Sequence, residues 1–263
     1  ISGAHPQHLY FGFLGAQGWR DNGSNCVYDT AFQNGYPKTP IFDGGSRPAE
    51  FFQVVGAVGP ASYKIGLALC CVFVPLAFIG MGRGIGLSPP ASCTAGLFGC
   101  VLWWAPPCRV LIESGDFDLL LGGLCALLHV SWLVRFERVP GIDSWIVMTL
   151  FVALGWYMQP FLMIAFFPFL LLYYLWVATR QSLIWHLAIA ATLLVAFGVN
   201  YIWLRDWCRN LWLYLPFGGN LPAPVPIWPT IVSSWKSLLP WDPVSIGVSA
   251  AGLVGLFLML TVN

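Results

Sequence analysis

Nine polar residues of this chain are of the kinds that move protons or hold phosphate. Asp29, Asp43 and Asp116 are carboxylates in turn-rich or loop sequence. A carboxylate there can take a proton from an attacking hydroxyl, which lowers the barrier to transfer. Lys38, Arg47, Arg205 and Arg209 are cations, suited to a departing phosphate whose charge grows in the transition state. Asp118 and Gln159 complete the set as groups for binding the polar part of a substrate. No spacing among the nine is diagnostic, and each has an ordinary structural use. Asp29 and Asp43 suit turns, Asp116 and Asp118 a helix N-terminus, and Lys38 and Arg47 an anchor at a membrane surface. Asp29 and Asp43 carry equal weight as the base.

Five charged residues of the first loop, Asp29, Lys38, Asp43, Arg47 and Glu50, fall in one turn-rich stretch, YDTAFQNGYPKTPIFDGGSRPAEFF (28–52). Its prolines remove backbone donors and its glycines permit tight turns, a way of holding charged side chains rigidly. Almost everything after it is apolar. Of the 263 residues, 58% are hydrophobic and 9% charged, with a mean hydropathy of +0.73. A soluble domain carries about 25% charged residues, so the lipid bilayer is the natural solvent and partner here. The 14 Trp suit the interface belts of a membrane protein. A net charge of +1 points to no nucleic-acid partner.

The expected fold is all-α, a polytopic helical bundle. Crossing about 30 Å of hydrocarbon needs about 20 helical residues. Seven spans are expected, near 63–82, 90–106, 117–135, 144–159, 160–178, 184–204 and 245–262. Pro160 divides one long apolar stretch into two spans, and Pro75 and Pro168 kink helices rather than end them. This gives a first loop over 1–62 with short interfacial helices, a bundle over 63–204, a second large loop over 205–244 and a last span over 245–263. The alternation puts 1–62, 107–116, 159–160 and 205–244 on one face. The short loops of the other face hold four Arg and two acids, a mild positive-inside pattern that puts the long loops outside. The chain begins Ile-Ser-Gly and stops in an apolar run, as expected of a piece of a longer polytopic protein.

Other residues carry less. Five of the eight cysteines lie in apolar runs and read as small hydrophobes. Cys26, Cys108 and Cys208 share the long-loop face without a pairing to assign. His5 and His8 are three apart, but Pro6 between them argues against a helix there, so no metal site is assigned. His129 and His186 suit bonds between helices. GMGRGIG (80–86) has the glycines of a phosphate loop but follows a span rather than a strand, which excludes that use.

Three features together resemble the GT-C-type multispanning glycosyltransferases and their uncharacterised bacterial relatives. A large first loop holds Asp21, Asp29 and Asp43 with a Gly-Tyr-Pro turn in GYPKTPIFD (35–43), followed by AEFFQVVGAVGP (49–60). Tyr63-Lys64 opens a span. A second acidic loop, ESGDFDLLLGGL (113–124), leads back into the membrane. The resemblance covers roughly 5–180. It implies an integral protein of the bacterial plasma membrane that moves a sugar from a lipid-phosphate donor to an acceptor on the outer face, with a first-loop acid as base. It assigns no cofactor and admits a divalent metal beside the phosphate. The place soon after the first span where such enzymes carry an acid reads GAHPQHLYF here, without one. Two other readings stand beside it, a lipid or solute transporter or flippase and a non-catalytic assembly protein. A transporter places polar groups inside its spans, and here these are few, mainly His129, Ser131, His186 and Asn200.

Overall fold

Prolines set the beginnings of several helices. The computed structural model of the chain describes residues 3–31, 35–38, 44–56 and 59–210. Its elements are α1 (His5–Asn22), β1 (Val27–Asp29), β2 (Tyr36–Lys38), a 3-10 turn (Gly44–Ser46), α2 (Arg47–Val55), α3 (Pro60–Gly84), α4 (Pro89–Trp104), α5 (Pro106–Ser114), α6 (Phe117–Arg138), α7 (Ile142–Met158), α8 (Pro160–Ala178) and α9 (Leu183–Asn210). Helices α3, α4, α5 and α8 each start at a proline, where its fixed φ suits the helix and its missing N–H costs nothing. Pro160 separates α7 from α8 as expected, and Pro75 and Pro168 lie inside α3 and α8.

Four helices, α3, α6, α8 and α9, are long and apolar enough to cross a membrane. Helices α4 and α5 meet at a 55° bend and together make a fifth candidate. Helix α7, with 17 residues, is apolar but shorter. Helix α8 leaves its apolar surface uncovered, with Phe169 70% and Leu172 65% exposed. An apolar helix bare to its surroundings faces lipid. The chain is therefore an all-α integral membrane protein in its described part, with one two-stranded hairpin.

Three expectations change. The stretch expected as a first loop is organised around an 18-residue helix, α1. Pro6 does not prevent it, because it falls in the first turn. Residues expected in the loop over 107–116 form most of α5, and α9 runs on through Asn210, past the expected loop start at 205. The expected seventh span and Asp43 lie outside the described residues.

Helix α6 is the axis of the bundle. It contributes Phe117 and Leu121 to one core cluster, Ala126 to the next, and Leu133 and Phe136 to the third. Polar groups within the helices are used between helices. Thr149 bonds Thr192 at 3.0 Å, Asn200 donates to the Ala153 carbonyl at 3.0 Å, and His129 bonds the Met148 carbonyl at 3.1 Å. Such bonds hold helices together where lipid offers no other partner.

Candidate functional site

Helix α1 lies against α2 through a stripe of small residues, and that packing builds one end of the molecule. It ends at Gly23, which takes the left-handed conformation (φ 64°) that Asn22-Gly23 predicts, and the Gly23 and Ser24 amides cap the last carbonyls. Gly12, Gly15 and Gly18 recur at three-residue spacing on the buried side. A Cβ on Gly12 would stand 2.6 Å from that of Ala49, and one on Gly15 would strike the Glu50 carboxylate and lie 2.6 Å from Lys38 Nζ. The close approach of α1 to α2 therefore requires glycine there.

Beneath Gly15 sits a buried charge cluster. The hairpin pairs Val27 with Lys38 and delivers Lys38 Nζ to Glu50 Oε2 at 2.5 Å, both side chains fully buried. Glu50 Oε1 accepts from Trp19 Nε1 (2.7 Å), Asn25 Nδ2 (3.1 Å) and the Tyr157 hydroxyl (2.9 Å). Burial would push the Glu50 carboxyl up, but the Lys38 and Arg47 charges outweigh it and hold the group below its ordinary value. The Arg47 guanidinium packs over the rings of Tyr157 and Trp203, at 5.1 and 4.4 Å from their centroids. This cluster ties the N-terminal segment to α7 and α9.

A second cluster gathers at the other end of α1. His5 bonds the Tyr63 hydroxyl at 2.7 Å and the Ile112 carbonyl at 2.6 Å. The Ala4 amide donates to the Ser114 carbonyl at 2.7 Å. Asp116, half-buried just before α6, accepts from the Ser114 hydroxyl at 2.6 Å. Asp118, one residue into α6 and 5% exposed, accepts from Gln159 Nε2 at 2.7 Å. His8 faces this group, and a Cβ on Gly45 would come within 2.6 Å of its ring. Burial lowers the His8 pKa against the opposing pull of Asp116, so its ring is held toward the neutral form.

The structure thus brings Asp116, Asp118 and Gln159 together and separates them from Lys38 and Arg47, which join Glu50. Asp29 stands apart from both groups. It accepts from the Tyr10 hydroxyl and from the Ala31 amide at 2.9 Å, and the Tyr10 bond raises the phenol pKa. That amide bond is the turn-forming use of an aspartate. Arg205 contacts its neighbour Asp206 at 3.3 Å, and Asp206 also accepts from Cys26 at 3.3 Å. Arg209 is exposed on the last turn of α9. Glu50 stands out in the sequence only as one charge of the first loop, and Trp19, Tyr157 and Trp203 do not stand out there at all. The signal that marks them is the Gly12-Gly15-Gly18 stripe, which announces a helix packed closely against α1.

Two apolar grooves run along the helices from this end. The larger, about 1020 Å³, lies between α3 and α6 and is lined by Phe52, Ile65, Phe73, Leu121, Leu124 and Trp132 among others. Leu121 stands one turn beyond Asp118 on α6. The smaller, about 530 Å³, lies between α7 and α9 and ends at Trp19, Tyr157 and Trp203. All eight cysteines are free thiols. Among the described residues, no group of three or more His, Cys, Asp or Glu is placed to hold a metal ion. Comparison with known protein families, curated proteins and solved structures finds no match to this chain.

Proposed function

We propose that this protein is a membrane-embedded transferase that moves a sugar from a lipid-phosphate donor to an acceptor at the end of the bundle bearing α1. In this reading α3, the bent α4–α5 pair, and α6 to α9 cross the bilayer, with a further span beyond the described residues, and the α1 end faces outward. One observation carries the reading. A groove of about 1020 Å³, apolar along its length, begins one helical turn from a carboxylate pair, Asp116 and Asp118. A long lipid tail fits such a groove, and a polar head drawn to the acids would be held at the membrane surface.

Roles follow from accessibility. Asp116 is half-buried and close to a neutral His8, so it is the carboxylate best able to take a proton from an acceptor hydroxyl. Asp118 and Gln159 are bonded to each other and orient the substrate's hydroxyl groups. Lys38 is committed to Glu50, and Arg47 is enclosed beside it against Tyr157 and Trp203, so the donor's phosphate falls to the remaining cations of that face, Arg205 and Arg209. Thr149, Asn200 and His129 spend their polar groups on bonds between helices, which favours transfer over transport.

The test is sugar transfer in membranes from polyprenyl-phosphate donors, comparing the wild-type chain with Asp116→Asn, Asp118→Asn, Asp29→Asn and Asp43→Asn. Loss in Asp116→Asn with the fold intact supports the reading. Full activity in all four variants, or no transfer by the wild type with any donor, refutes it.

A further inference from the structure

The closed cluster has one charge too many. Lys38 and Glu50 neutralise each other at 2.5 Å. Arg47 is buried beside them, with 2% of its surface exposed. Its one described hydrogen bond runs from Nη1 to the Tyr157 carbonyl at 3.3 Å, and its Nε–H is buried without an acceptor. Among the described residues the cluster holds two cations against one carboxylate. Two aromatic rings offset part of that charge, but an uncompensated buried cation is still unfavourable. An anion from outside the chain would remove that cost. Arg47 also begins α2, whose positive end favours the same guest.

The rings that hold Arg47 show which kind of anion fits. Tyr157 and Trp203 form one end of the groove of about 530 Å³ between α7 and α9, whose walls continue along Ile146, Leu150 and Val199. Val199 is 68% exposed and faces outward from α9. The groove is thus open along a lipid-facing wall and closed at its end by rings that carry an unneutralised cation. We propose that it binds a membrane lipid with a phosphate headgroup, its chain between α7 and α9 and its phosphate on Arg47. This rests on the transferase reading only in the class of ligand. The binding experiment below involves no transfer, so either can fail without the other.

The purified full chain in neutral detergent is titrated with dioleoyl phosphatidic acid, with dioleoylglycerol and with inorganic phosphate, following the midpoint of thermal unfolding. Phosphatidic acid should stabilise the wild type saturably, and the other two should not. In Arg47→Gln its apparent affinity should fall at least about tenfold, the worth of one charge-assisted hydrogen bond, with partial recovery in Arg47→Lys. Val199→Trp, which fills the groove from the lipid side, should weaken binding similarly, and it decides alone if Arg47→Gln does not fold. Equal affinity in the wild type and either variant overturns the proposal. So does stabilisation by dioleoylglycerol or by inorganic phosphate as large as that by phosphatidic acid, since the first removes the headgroup and the second the lipid.

Discussion

The two polar clusters at the ends of α1 are made of similar residues and differ in closure. Around Glu50 every carboxylate oxygen is engaged, by Lys38, Trp19, Asn25 and Tyr157, and the ion pair is sealed from solvent. Around Asp116 the groups are paired more loosely: Asp116 accepts from the Ser114 hydroxyl and keeps part of its surface, and Asp118 accepts from Gln159 and from backbone amides at the start of α6, with no cation paired to either acid among the described residues. The lesson concerns which charges can work. A carboxylate with several donors and a cation at 2.5 Å is a fastener, because taking a proton would break each of those contacts. One with a single hydroxyl partner and an exposed side is open to a further partner.

The comparison breaks first at Glu50. Glu50→Gln leaves Lys38 and Arg47 buried with no opposing charge and should cost about 3–5 kcal/mol, the usual result of removing one partner from a buried pair. Denaturant or thermal unfolding of the purified protein measures it, and an unchanged midpoint would show that the cluster is not a fastener. Lys38→Met should cost less, since Glu50 then still balances Arg47. At the other cluster the same chemical change should spare the fold and strike activity. Asp116→Asn should lower transfer about a hundredfold or more, as loss of a general base does, while its unfolding midpoint stays near that of the wild type. A large loss of stability there would erase the distinction.

Smaller effects sharpen it. Gly15→Ala should cost about 1–3 kcal/mol by overpacking, since the added Cβ meets the Glu50–Lys38 pair, and unfolding curves will show it. Acid should act on the same pair with a definite sign. The folded-state pKa of Glu50 is held below its ordinary 4.5, so its contribution is fully present above that value and is lost as pH falls through the lower, folded-state one. Midpoints followed from pH 7 to 3 should therefore hold steady as far as Glu50 is concerned until the pH drops below its ordinary value. In Glu50→Gln that acid-linked loss should be absent.

Much of the fold was legible because prolines and apolar runs act locally. Helices stand at six of the seven positions where spans were expected, and the Gln159-Pro160 break lies where a single helix would have overshot a bilayer. Gly23 takes the left-handed step its dipeptide predicts. The helix through Pro6 was missed because a proline is harmless in a first turn, and a sequence does not announce where that turn begins. The extension of α9 past 205 was missed because Arg205, Asp206 and Arg209 look like loop residues until the Cys26 contact shows the helix end packed against the N-terminal segment.

The candidate site was legible as a list of residues and not as an arrangement. From sequence, Lys38 and Arg47 are two cations of one loop with the same claim on a phosphate. The tertiary structure gives them different surroundings, because Glu50 comes to Lys38 through a hairpin and a helix, while Arg47 meets two aromatic rings from α7 and α9. Asp116, Asp118 and Gln159 meet for the same kind of reason, across a turn of the bundle. Composition and proline placement, which act through solvent preference and local backbone geometry, determined by themselves that this is a helical membrane protein and where several of its helices begin. Which charges are neutralised and which remain available depends on contacts between distant segments, and only the packed molecule fixes those.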